Sequence, residues 1–171
     1  MPFDPNGNPI EFPIVKQQMS NWCWAACTVS VCSFYDSLSS VSQKKLAADL
    51  LRQPVCNTPR FFTACNKILD LGDSLHYVGH LNGQVVQSFL TPEQIDSSIG
   101  NRNPIGCQID VPGIGGHAVL IVSGKKDATG QLFLHVADPS DASILTMPYL
   151  QLRNNFRGLG GRWIRTYLIK P

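Results

Sequence analysis

The hydrophobic period of the chain switches at Gly100, and this switch limits the fold more than any other feature. Beyond it, residues 104–110, 117–123, 131–138, 143–149 and 162–169 carry alternating or continuous apolar residues between Gly, Pro and Asp punctuation. That is the signature of strands. Before it the spacing is helical. The stretch from Trp22 to Tyr35 contains no Pro or Gly, which predicts a helix over about 21–38. Val41, Leu46, Ala47, Leu50 and Leu51 form the apolar face of a second helix over 41–53. Thr58-Pro59, a cap followed by Pro at the first helical position, predicts a third, carrying Phe61, Phe62, Ala64, Ile68 and Leu69. Thr91 and Gln94 form a capping box for a short helix that stops at Gly100.

Helices followed by strands predict an α+β domain, and 171 residues suffice for one hydrophobic core. Residues 1–16, rich in Pro, Asn and Gly, read as an extended arm. Residues 17–171 read as one domain, helical over 17–100 and β over 101–171. With 14 basic against 12 acidic residues and 15% charged overall, there is no footprint for nucleic acid or an anionic membrane. The chain has no apolar window long enough to span a bilayer, and its start lacks the basic and apolar regions of a signal peptide. A soluble protein, or a domain cut from a longer one, is expected.

Six cysteines are too few for a disulfide scaffold of this length. Cys56 and Cys65 bracket a Pro-containing turn and could pair, whereas Cys27, Cys32 and Cys107 read as free, packed thiols. The spacings offer no CxxC or Cys/His cluster, so no metal is expected. Cys23 stands apart. Ser20 and Asn21 are good cap types, so Cys23 should fall in the first turn of its helix, where unpaired N–H groups and the helix dipole favour an anion. A nucleophilic sulfur needs that setting. Trp22 and Trp24 read as packing residues.

A cysteine nucleophile needs a base and a group to orient the base, drawn from distant positions. Among four histidines, His117 follows the glycine-rich Gly113-Ile114-Gly115-Gly116 and leads into a strand, which places its ring at a strand mouth. His76 and His80 lie in a polar connecting region and His135 inside a strand. Asp138 closes the next strand, and antiparallel pairing would set it beside the start of the His117 strand. Asp127 reads as a turn residue.

Gln17, five residues, then Cys23-Trp24-Ala25 resembles the active-site segment of papain-like cysteine peptidases. Asn21-Trp22-Cys23-Trp24-Ala25-Ala26 brings it closest to the compact bacterial branch, with its bacteriocin-leader-processing peptidases and type III effector proteases. Ser20-Asn21-Trp22 depart from the longer papain signature, and its earlier cysteine is missing. Gly116-His117-Ala118-Val119 and a strand ending in Asp138-Pro139 match the branch's His and Asp pattern. The resemblance implies a papain-like fold, a Cys23-His117-Asp138 triad, and Gln17 with the Cys23 N–H as oxyanion donors. Gln18 stays open as the alternative donor. It also implies a protein or peptide substrate, no cofactor, and a bacterial effector or toxin setting with a secretion machine and an inhibitory immunity protein. The same residues could serve deamidation, acyl transfer or cell-wall peptide hydrolysis, and the scaffold could be a binding module.

Overall fold

The computed structural model describes residues 11–59 and 63–171. Its frame is an antiparallel sheet of β1 (Ile105–Val111), β2 (Gly115–Lys126), β3 (Leu132–Asp138), β4 (Ser143–Pro148) and β5 (Arg162–Leu168), in the order β4-β3-β2-β1-β5. The expected strands all form. Alternation along β2 divides the core. Val119 and Ile121 join Ile109, Leu134, Val136 and Trp163 on one face, whereas Ala118, Leu120 and Val122 meet Cys27, Val31, Leu71 and Leu75 on the other.

Helix α1 (Cys23–Tyr35) lies on that second face, with α3 (Leu71–Tyr77) beside it. Helix α2 (Gln43–Leu50) packs Leu46 and Ala47 against Trp22, Trp24 and Ala25 in a third cluster. Both tryptophans are fully buried, which fits their reading as packing residues. Helix α4 (Pro92–Gly100) carries the expected capping box: the Thr91 hydroxyl accepts from the Gln94 N–H, and the Gln94 side chain accepts from the Thr91 N–H. The six-residue α5 (Tyr149–Asn154), not anticipated, buries Leu152 against the first face. An α+β arrangement results, with α1 against the sheet.

Residues 63–70 correct the third expected helix. Thr63–Cys65 is a single 3-10 turn and residues 66–70 are irregular, while Phe61 and Phe62 lie outside the described residues. The reason is competition for backbone groups. The Cys65 and Lys67 carbonyls accept the indole N–H groups of Trp22 and Trp24, and the Asn66 carbonyl accepts from Asn21 Nδ2. A helix would have spent those carbonyls internally. The Cys56–Cys65 disulfide closes the same segment, and Cys27, Cys32 and Cys107 are free and buried. Helix α3 starts only at Leu71, capped by Asp70 on the Gly72 N–H, so His76 is helical and does not lie in a connector. Among the described residues, no helix is long and apolar enough to cross a membrane.

Residues 11–16 form neither helix nor strand, and they are tied down. Val15 N–H donates to Ser30 Oγ, and the Gln43 side chain brackets the chain by donating to the Lys16 carbonyl and accepting from the Gln18 N–H.

Candidate active site

Cys23 is the first residue of α1, but the cap differs from expectation. Trp22 occupies the N-cap position, and its side chain makes no capping hydrogen bond to the first turn. Ser20 and Asn21 are engaged elsewhere: Asn66 Nδ2 donates to Ser20 Oγ at 2.7 Å, and Asn21 N–H donates to Asn66 Oδ1 at 2.9 Å. The first helical bond runs from the Ala26 N–H to the Trp22 carbonyl, at 3.0 Å. The N–H groups of Cys23, Trp24 and Ala25 therefore lie outside the helical ladder, with the positive end of the dipole beside the sulfur.

Strand register delivers the next two residues. Leu120 pairs with Ala137, so one step further Val119 stands opposite Asp138. His117, two residues before Val119, shares its face and is the diagonal neighbour of Asp138, within side-chain reach. His117 Nε2 bonds Asp138 Oδ1 at 2.8 Å. Cys23 lines the same cleft as the imidazole, and with Nε2 committed to Asp138 the ring nitrogen left for the sulfur is Nδ1. Phe156 tilts against the ring, at 6.1 Å between centroids.

Electrostatics follow from that chain of contacts. Burial alone would lower the His117 pKa, but the hydrogen bond to Asp138 and the neighbouring Cys23 overcome it and raise it to about 9. Asp138 is 1% exposed. Its burial favours the neutral acid, yet His117, the Ser140 N–H and the charge of the imidazolium hold it well below the ordinary carboxylate range. One turn behind Cys23, burial pushes the Cys27 thiol up, with Cys23, Asp138 and Cys107 adding to it. Cys27 donates to the Ala118 carbonyl and packs in the core.

Gln17 is held beside the same turn through its N–H to the Pro139 carbonyl, at 2.8 Å. Its side-chain amide donates to the Met19 and Ser20 carbonyls at 3.0 and 2.7 Å, while Oε1 is buried without a partner among the described residues. Gln18 is exposed. The other histidines lie elsewhere: His80 stacks on Tyr35 and bonds the Lys170 carbonyl, and His135 sits in the middle of β3. Asp127 accepts from the Thr129 and Gln131 N–H groups, the work of a turn residue.

Arg157 was not singled out in the sequence. It follows α5, and its Nε donates to Asp138 Oδ2 at 2.8 Å. The only sequence signal was a basic residue in a glycine-rich turn, which is common on surfaces. Cys23, His117, Asp138 and Arg157 open onto a cleft of about 270 Å³ with apolar walls at Ile68, Val111, Ile114, Phe156 and Leu159. A larger hollow of about 640 Å³ lies at the other end of α1, beside Phe34, Tyr35 and Asn103, and holds no nucleophilic thiol. The chemistry singles out the smaller one.

A thiol at a helix N-terminus, sharing a cleft with an imidazole carried on an antiparallel sheet, defines a papain-like cysteine peptidase. The chain belongs to the papain-like cysteine protease AvrRpt2 family, whose sequence profile matches residues 6–155. No curated protein sequence matches it. Among solved structures, it is similar to the proform of Amb a 11, a cysteine protease and pollen allergen of ragweed, with a TM-score of 0.57 at 14% identity. The match covers 96% of this chain and 68% of that one, and shows a shared fold.

Proposed function

We propose that this cysteine protease cleaves peptide bonds of a protein substrate through Cys23, His117 and Asp138. The observation that carries the proposal is that the Cys23 thiol, the His117 imidazole and the buried Asp138 carboxylate bonded to that imidazole line one open cleft. His117 takes the Cys23 proton, and the sulfur attacks the substrate carbonyl carbon. As the tetrahedral adduct collapses, the C–N bond breaks and His117 returns the proton to the leaving amine. Water, deprotonated by His117, then attacks the thioester and releases the acid and free Cys23. Asp138 keeps the ring oriented and stabilises its cation.

The oxyanion would be met by the Cys23 N–H and by Gln17, whose amide exchanges its Ser20 carbonyl bond for the substrate oxygen. Ile68, Ile114 and Leu159, all exposed at the cleft, suit apolar side chains of an extended peptide. The family suggests a bacterial effector or toxin setting, in which a secretion machine delivers the protein and an immunity protein blocks the cleft. Trapping with Cys23→Ala in a recipient-cell lysate, followed by mass spectrometry of new termini made by the active form, tests the reading. New termini that require Cys23 support it. Deamidated or acyl-transferred products without cleavage would replace it with the other acyl chemistries, and no Cys23-dependent product would sink both.

A further inference from the structure

Asp138 is gripped from both sides. Its Oδ1 accepts from His117 Nε2 and the Ser140 N–H, and its Oδ2 accepts from Arg157 Nε at 2.8 Å, with Nη2 of the same guanidinium forming an ion pair at 2.8 Å. The outer edge of the same guanidinium is fastened in turn: Nη2 donates to Asp141 Oδ2 at 3.0 Å and reaches Ser143 Oγ at 3.4 Å. Arg157 is thus a plate between a buried carboxylate and an exposed one.

The backbone that presents this plate is unusual. Arg157 has φ of +53°, in the left-handed region that side-chain-bearing residues rarely adopt. It sits in a turn where glycine occupies two other positive-φ positions, Gly158 and Gly160. The turn is well bonded: Phe156 N–H donates to the Gly161 carbonyl, Gly158 N–H to the Asn155 carbonyl, and Gly160 N–H to Asn155 Oδ1. A third glycine would suit it better. Strained backbone at a site is retained where the surroundings over-determine it, and here the side chain's bonds to Asp138 and Asp141 do so.

We propose that Arg157 is a positioning residue for the Cys23-His117-Asp138 chain, fixing the Asp138 carboxylate so that Oδ1 meets His117; this rests on the function proposed above. A carboxylate free to rotate would present its oxygens to His117 only part of the time. The planar guanidinium, fastened on its outer edge to Asp141, holds Oδ2 and so leaves Oδ1 turned towards His117, a rigid plate that a lysine cannot supply. The titratable and charged groups that meet here are Cys23 and Cys27 from α1, His117 from β2, Asp138 at the end of β3, Asp141 in the turn that follows, and Arg157. Two effects of removing Arg157 then oppose each other. Loss of its positive charge would stabilise the imidazolium, whereas loss of the Asp138 orientation would destabilise it. Positioning requires that the second effect dominate.

Alkylation of Cys23 by iodoacetamide, followed across pH, reads the thiolate-imidazolium pair without any substrate, with Cys23→Ala as the blank for other thiols. The wild type should react at neutral pH on a plateau set by the pair. Arg157→Gln, and Arg157→Gly, which suits the left-handed backbone, should lower the neutral rate about tenfold or more and shift the profile towards that of an isolated thiol. The His117 ring titration, followed by NMR, should move down in parallel. Arg157→Lys should recover part of both, and Asp141→Asn should move both in the same direction by less. Thermal melts identify any variant that fails to fold, and Asp141→Asn, which keeps the Asp138 contact, then carries the test. A profile and ring titration that superimpose on the wild type overturn the proposal. So does a ring titration that moves up, which would make Arg157 a mere opposing charge. A wild type that itself reacts like an isolated thiol removes the pair, and both proposals fall together.

Discussion

Cys23 and His117 meet in one site, but the two halves of the molecule deliver them by different means. His117 and Asp138 come on neighbouring strands, and the register Leu120 to Ala137 sets their meeting. Cys23 comes at the start of a helix whose approach is set by bonds between distant residues: Asn66 to Ser20 and Asn21, and the Cys65 and Lys67 carbonyls to Trp22 and Trp24. In the sheet, backbone pairing places the chemistry and side chains only refine it. In the helical half, a few side-chain bonds and one disulfide do the placing. The sheet side should therefore tolerate change in its surroundings, and the helix side should be vulnerable at single residues far from the sulfur.

The largest expected effect tests whether the two halves act as a unit. Cys23→Ala and His117→Ala should each cost on the order of 10⁶ in kcat, and the double variant no more than either alone. Additive losses in kcat/KM would show that the pair works independently. Next is the disulfide. Cys56→Ser with Cys65→Ser, or reduction of the wild type, should cost about 2–3 kcal/mol for a loop of this length. It should also slow Cys23 alkylation, whereas a stability loss with unchanged alkylation would disconnect the loop from the site. Asn66→Ala should cost about 1–2 kcal/mol in urea melts, because it deprives the Asn21 N–H of its acceptor and Ser20 of its donor.

The pH dependence separates the halves again. The folded state holds His117 at about 9, above its ordinary 6.5, so its contribution to stability is full below 6.5 and is lost as pH rises through about 9. Asp138 is held below its ordinary 3.8, so its contribution is full above that value and is lost as pH falls below it. Urea melts of His117→Ala should therefore converge on the wild type towards alkaline pH, and those of Asp138→Asn towards acid. The smallest effect belongs to a position remote from both halves of the site. Thr91→Ala should cost about 1 kcal/mol through the capping box of α4 and leave Cys23 alkylation unchanged.

What could be read from the sequence follows the same division. The five strands, the α4 cap and the approach of His117 to Asp138 were legible, because alternation and punctuation are local and pairing of consecutive strands carries the rest. Helix α1 was legible from its unbroken run, but its cap was not, since Ser20 and Asn21 are claimed by a residue more than forty positions away. The helix expected from Thr58 failed for a related reason. Its apolar spacing was adequate, but residues 65–67 spend their carbonyls on Trp22, Asn21 and Trp24. Helix α3 had a signal in Asp70 and Asp73, obscured by the run before it.

The sequence by itself determined an α+β chain with a cysteine at a helix start and a histidine and an aspartate on adjacent strands, since each depends on local periodicity and chain order. Only the tertiary structure decided that Gln17 rests against the Pro139 turn, that a disulfide-closed segment steadies the entry to α1, and that Arg157 grips Asp138. These are contacts between segments whose spacing carries no pattern. Their energies come from burying and pairing polar groups that the unfolded chain would leave to water.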